Sequence, residues 1–246
     1  MDYNSSFENR AKSFLFAVNT YPHCMEYEFK NAIEELHLKD GEILLNLGGG
    51  GLNLDKYITK KIKYLPVDFS AEFSRLCDIP HINYNKLPFS DNSVDKIIIL
   101  ALLHHFTNDE RTELYRECYR ILKPTGKFLV ADVLKGSNQD IWLNTFVNKF
   151  NPFGHNGNFF TREDALLLSF EGFSIDTKIK KYTWWFNDEK EMFNYVKSLF
   201  YLAVSDKELR EALESSLKPY IGDDNKHHFN WELIYFVCSK PNLYQD

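Results

Sequence analysis

Four consecutive glycines, Gly48, Gly49, Gly50 and Gly51, follow the apolar run Ile43-Leu44-Leu45-Asn46-Leu47. A glycine run at the carboxyl end of a strand lets ligand atoms approach the backbone, and a helix N-terminus there offers unpaired N–H groups. Taken alone, the run is equally well a tight turn that binds nothing. Asp68 supplies context. It stands 20 positions after Gly48, at the end of a second short strand pattern, where a carboxylate can accept both hydroxyls of an adenosine ribose. Glycines and acid together predict a nucleotide-type ligand. The nicotinamide pattern G-x-G-x-x-G/A, laid on Gly48 and Gly50, places Asn53 where a third small residue allows close helix packing, which argues against NAD.

His104 and His105 stand just past the apolar run KIIILALL, at the mouth of the same crevice. An imidazole titrating near neutrality is a natural proton acceptor, although a histidine opening a helix can equally hydrogen-bond backbone or pack on a neighbour. His155, within NPFGHNGNFF, is either a substrate-facing base or a solvated loop histidine. The cysteines Cys24, Cys77, Cys118 and Cys238 form no C-x-x-C pair and have no histidine at ligand spacing, so they read as reduced and structural. No carboxylate cluster follows a strand in a way that would hold Mg²⁺, so no metal is expected.

The elements that must position these residues alternate. Residues 7–38 read as two helices broken at Pro22, the first with the apolar stripe Phe14, Leu15, Ala17 and Val18. Residues 42–47 and 63–68 read as strands. KIIILALL, preceded by a turn at Ser90 to Asp95, is continuous enough to be a central strand buried on both faces. A helix over 108–122, a turn at Pro124-Thr125-Gly126 and a strand over 127–133 follow. Residues 136–160 read as a polar, aromatic stretch carrying substrate contacts, and Thr161 with Asp164 as a capping box. Strands over 173–185 and 231–239 flank a helical insertion over 188–218 and can pair antiparallel at the sheet's edge. The fold class is α/β: a Rossmann-like, mostly parallel sheet of about seven strands with an antiparallel edge strand, helices on both faces, an N-terminal helical lid and a helical insertion before the last strand.

Composition sets limits on function. The chain has 246 residues, 44% hydrophobic and 26% charged, enough for one large folded domain. Its net charge of −6 without any basic block lacks the footprint of a nucleic-acid binder. No stretch has the length of a membrane span and no secretory signal opens the sequence, so a cytoplasmic protein without a membrane partner is expected. The 21 Phe and 14 Tyr suggest that some aromatics line a pocket. Trp184 and Trp231 read as edge-strand residues, and Trp185 as either pocket or core.

With Leu87-Pro88-Phe89-Ser90-Asp91-Asn92-Ser93-Val94-Asp95, the His-His-Phe at 104–106 and RECYRILKPTGKFLVADV, the chain resembles the class I S-adenosylmethionine-dependent methyltransferases of the small-molecule, type 11-like group. The resemblance runs over 42–133, with HFNWELIYFVCSKP similar to the family's last strand. It implies a single domain over 1–246, with helices or a lid over 1–40, a cofactor-binding core over 41–135 and substrate-side insertions over 136–230. It implies S-adenosylmethionine as cofactor, leaving as S-adenosylhomocysteine. Asn46 and the glycines 48–51 would face its methionine part, Asp68 its ribose, Asn83 its adenine edge and Ala101 its flank, with Phe69 also a cofactor-binding residue. Members of that family usually carry Asp where this chain has Asn46 and Asn83, and Gly where it has Leu52. An amide oxygen still accepts a hydrogen bond, but the charge assistance toward an ammonium is lost. His104 and His155 are the candidate catalytic residues. The implied reaction is methyl transfer to an O, N or C nucleophile of a small, partly apolar or aromatic metabolite of secondary or specialised metabolism, by a monomer or homodimer. The departures keep two alternatives open: a non-methylating cyclisation or rearrangement, and a non-catalytic cofactor-binding homologue.

Overall fold

The computed structural model describes residues 10–241. Two helices, α1 (Ala11–Thr20) and α2 (Glu26–Leu36), lead into β1 (Ile43–Leu47), β2 (Lys63–Val67), α3 (Ala71–Cys77), β3 (Val94–Leu100), α4 (Asn108–Ile121) and β4 (Leu122–Asp132). The expected helix start at Phe7 lies outside the described residues. Next come α5 (Asn138–Ile141), α6 (Ala165–Phe170), β5 (Ser174–Phe186), α7 (Glu189–Phe200), α8 (Asp206–Ser216), β6 (Tyr220–Ile221) and β7 (His227–Ser239). The strands form one seven-stranded sheet in the order β2-β1-β3-β4-β7-β5, with β6 added to β7. The ladders β1·β2, β1·β3 and β3·β4 are parallel, and β7 runs antiparallel between β4 and the edge strand β5.

Strand β3 earns its central place by composition. Ile97 and Ile99 point into one core layer and Ile98 and Leu100 into the other, all nearly inaccessible to solvent. Burying such side chains is worth about 1.5–3 kcal/mol each, which is why a continuous apolar run suits a strand covered on both faces. Helix α4 covers one face with Leu114, Tyr115, Cys118 and Ile121, spaced at three and four residues, and starts at a capping box of Thr107 and Glu110. Phe29, Ala32, Ile33 and Leu36 of α2 cover the other face, together with α7.

The structure refines three readings of the sequence. The polar, aromatic stretch 136–160 is largely helical: α5 runs on through a π-helical turn (Trp142–Val147) to a last turn at Asn148–Phe150, with Ser137 as its cap. The insertion 188–218 is two helices, parted where Tyr201 takes a left-handed conformation. The turn at Pro124 to Gly126 lies inside β4 rather than before it, because Leu122 already pairs with Val94 and the register shifts before Lys127 meets Lys96. The Thr161–Asp164 capping box is present as expected. Among the described residues no helix is long and apolar enough to cross a membrane.

Candidate active site

The chain leaves β1 to one side for β2 and returns on the other side for β3, so the strand order reverses between β1 and β3. In an open α/β sheet that reversal, at the carboxyl ends of the strands, is where a ligand crevice forms. The glycines 48–51 follow β1 there, Asp68 follows β2, Ala101 to His105 follow β3, and Asp132 ends β4.

Gly48 and Gly51 have φ of +78° and +82°, in the region that favours glycine. The turn is also crowded: a Cβ on Gly48 would lie 2.2 Å from the Leu102 side chain, and one on Gly51 2.5 Å from Leu15. Asp68 is 2% exposed and sits against this turn. Its Oδ2 accepts from the Gly50 N–H at 3.0 Å and its Oδ1 from the Ser70 N–H at 2.7 Å. Burial pushes its carboxyl up to about 6, with those N–H donors pulling the other way. Asn46 is fully buried; its Nδ2 donates to the Tyr64 hydroxyl at 2.8 Å, and its Oδ1 accepts from nothing. Ala101, half-buried, takes a left-handed φ of 50°, a conformation costly for alanine and found where the surrounding structure imposes it.

Beside these groups opens a cavity of about 840 Å³ lined by Phe69, Asn83, His104, His105, His155 and Asn158, among others. The glycines 48–51, Asp68, Asn46 and Ala101 do not line it. The structure thus places Phe69 and Asn83 on the chamber wall and gathers Asn46, Asp68 and the glycines at the turn after β1. Of the 136–230 stretch only Gly154, His155, Asn156 and Asn158 reach the chamber. Trp184 and Trp231 stack on each other at 4.3 Å in the core, and Trp185 packs against His23, away from the chamber.

His104 is anchored at both ends. Its backbone N–H donates to Asp132 Oδ2 at 3.0 Å, and its Nδ1 lies 2.7 Å from Asp132 Oδ1. Asp132 is 1% exposed; burial raises its pKa, but His104, the Val133 N–H and Arg111 outweigh that and hold the carboxyl below its ordinary value. An ionised carboxylate only accepts, so Nδ1 carries the proton that faces it. His105 and His155 are both pushed well below the ordinary imidazole value, chiefly by burial and then by the neighbouring histidines, which leaves them neutral. The three rings cluster: His104 lies 4.0 Å from His105 and 5.3 Å from His155, centroid to centroid.

Sequence reasoning missed two residues here. Asp132 stood in plain view as the acid that ends the last parallel strand. Arg111, fully buried, donates from Nε to the Leu103 carbonyl at 3.0 Å and from Nη2 to the Asn158 carbonyl, and lies 3.8 Å over the Phe160 ring. It ties the His104 turn to the His155 loop. Its signal was its spacing, since Arg111 precedes Leu114 and Tyr115 by three and four residues and therefore shares the apolar face of α4.

The methyltransferase-domain family matches residues 45–130. The uncharacterized protein YafE of Escherichia coli is 36% identical over 95 residues, 38% of this chain and 44% of that protein. The probable tRNA methyltransferase 9B of Bos taurus is 29% identical over 100 residues, 37% of this chain and 21% of that protein. The chain thus spans less than half the length of either relative. A phosphoethanolamine N-methyltransferase 2 of Haemonchus contortus, solved with S-adenosyl-L-methionine, superposes with a TM-score of 0.60 at 16% identity, over 98% of this chain and 60% of that one. Family match and sheet order agree over this core: residues 45–130 are similar to the methyltransferase-domain family, and the chain shares its fold with solved S-adenosylmethionine-dependent methyltransferases.

Proposed function

We propose that the chain transfers a methyl group from S-adenosylmethionine to a small, partly aromatic acceptor held in the histidine-lined chamber. The observation that carries this reading is the adjacency of two unlike sites. Asp68, buried against the glycine turn, directly precedes Phe69 on the wall of a chamber of about 840 Å³, which is of the size that encloses a small organic molecule. The turn with Asn46 and Asp68 fits the cofactor. Asn46 Oδ1 is an acceptor without a donor, suited to an ammonium, and each Asp68 oxygen keeps a lone pair beyond its one backbone bond, suited to ribose hydroxyls. Phe69 and Asn83 offer a ring face and an amide edge for an adenine.

The bound cofactor supplies a methyl group already activated on sulfur. What remains for this chain is alignment, exclusion of water and, for an acidic nucleophile, removal of a proton. Asp132 fixes the His104 ring so that Nε2 is free to take that proton, and the neutral, chamber-lining His155 is the second candidate. A small acceptor is favoured over RNA because the chain carries a net charge of −6, opposite to what phosphate neutralisation requires.

Incubation with methyl-labelled S-adenosylmethionine and a metabolite extract tests the proposal. Label in a dialysable product that vanishes with Asp68→Ala is the expected result. Label in RNA or protein refutes the acceptor class, and no labelled product at all refutes methyl transfer.

A further inference from the structure

The chamber holds a feature that proton transfer does not use. One base is enough to deprotonate an acceptor, yet three imidazoles converge, with ligand nitrogens all within 4.8 Å of one another. They come from two loops: His104 and His105 after β3, and His155 from the segment that Arg111 and Asn158 strap to them. The Asn158 N–H donates to the His104 carbonyl at 2.7 Å. His104 has the second-sphere arrangement that orients a ligating histidine, with one ring nitrogen on a buried carboxylate and the other presented outward. His155 is 4% exposed, and its Nδ1 is buried without a hydrogen-bond partner. The fold has spent a desolvated nitrogen lone pair or N–H there with nothing to meet it.

We propose that His104, His105 and His155 form a three-imidazole site for a divalent transition metal of the zinc class, with its remaining coordination position open to the chamber. Imidazole nitrogen suits zinc, cobalt, nickel, copper or ferrous ions and not Mg²⁺ or Ca²⁺, which take oxygen ligands. Metal–nitrogen bonds of about 2.0–2.1 Å place tetrahedral ligands about 3.3 Å apart, so the rings close inward by side-chain rotation from their present separation. Three protein ligands plus one open position is the pattern of a reactive rather than a structural metal. In this arrangement His104 Nε2 is a ligand, not a base. An acceptor hydroxyl or thiol bound at the open position is acidified by the metal and releases its proton to solvent. The other cluster with ligand-forming groups, His23, Cys24 and Glu191, is a poorer candidate: His23 Nε2 is already engaged by Glu191 at 2.7 Å, and burial pushes the Cys24 thiol up, away from thiolate.

Metal-free protein, prepared with a chelator, is titrated with Co²⁺ while its visible ligand-field bands are followed, and then challenged with Zn²⁺ and with Mg²⁺. One Co²⁺ per chain is expected, displaced by Zn²⁺ and not by Mg²⁺. His105→Gln and His155→Gln each weaken binding at least tenfold and abolish the bands, Asp132→Asn weakens it roughly ten- to a hundredfold, and His23→Gln leaves it unchanged. Absence of saturable binding overturns the proposal. So do displacement by Mg²⁺, binding that survives in folded His105→Gln and His155→Gln variants, or loss in His23→Gln. If those variants do not fold, X-ray absorption of the wild-type Co²⁺ protein decides: three imidazoles in the coordination sphere support the site, and fewer overturn it. The readout involves neither S-adenosylmethionine nor an acceptor, so its failure leaves methyl transfer standing, and the failure of methyl transfer leaves it intact.

Discussion

Asp68 offers a test of the cofactor recess that needs no acceptor. Its carboxyl sits at about 6 in the folded chain, between the Gly50 and Ser70 amides. If ribose hydroxyls donate to the ionised carboxylate, ligand binding and protonation compete, and the apparent dissociation constant scales as one plus the ratio of protonated to ionised Asp68. Above about pH 7 that ratio is small. At about pH 5, one unit below the pKa, it is about ten, so S-adenosylhomocysteine should bind roughly tenfold more weakly, a loss of about 1.4 kcal/mol. Titration calorimetry with S-adenosylhomocysteine between about pH 5 and pH 7.5 measures this directly. Asp68→Asn removes the titrating group and should flatten the profile at a uniformly lower affinity. It also turns one Asn nitrogen toward a backbone N–H, so the variant's melting temperature must be followed in parallel. A wild-type affinity that is flat over this range, or a slope that persists in Asp68→Asn, would show that Asp68 is not the ribose acceptor.

Asn46→Asp restores a charge beneath the proposed ammonium. Charge-assisted bonds are about twice as strong as neutral ones, so S-adenosylmethionine should bind about five- to tenfold more tightly while the unliganded protein loses stability; calorimetry that finds no gain removes Asn46 from the recess. Glu28, fully buried with Oε2 accepting from the Trp184 indole at 3.1 Å, is pushed by burial up to about 8. A carboxyl raised above its ordinary 4.5 keeps in the folded state a proton that the unfolded chain releases, so stability falls as pH rises from 4.5 to about 8, by about 1.4 kcal/mol per unit and roughly 5 kcal/mol in all. Glu28→Gln should remove that slope, leaving the variant more stable than wild type at about pH 8 and little changed at about pH 5. Denaturant unfolding showing the same stability difference at both values would refute it.

The sheet was legible because its signals are local. KIIILALL needs no partner to be read as a strand buried on both faces, and Thr107 with Glu110, or Thr161 with Asp164, mark a helix start within four residues. The helix beginning at Asn138 was not legible, since NQDIWLNTFVNKF mixes asparagines with aromatics and its π-helical turn shifts the apolar positions off a regular helical period. The site divided in the same way. Gly48 and Asp68 are found by spacing from strands, whereas the meeting of His155 with His104 and His105 depends on Arg111 and Asn158 joining two loops far apart in sequence, which no local pattern encodes. His105, not among the candidate catalytic residues read from the sequence, stands in the cluster.

The glycine turn itself argues less for a ligand than its sequence suggests. A Cβ on Gly48 would meet Leu102, on Gly49 Asn46 and Pro66, on Gly50 Phe73 and Asp68, and on Gly51 Leu15 and Phe14, all within about 3.3 Å. Protein neighbours alone therefore account for all four glycines, and a chain that bound nothing at this turn would need them as much. What the packing does not account for are two buried polar atoms left without partners, Asn46 Oδ1 beside the turn and His155 Nδ1 at the chamber. Each costs about 1–3 kcal/mol of desolvation that the protein does not recover by itself. Each is an atom type suited to a different occupant: an amide oxygen to an ammonium, an imidazole nitrogen to a metal or a proton. The functional reading therefore rests on these unmet atoms and on Asp68, and on the glycines only as the shape that brings them together.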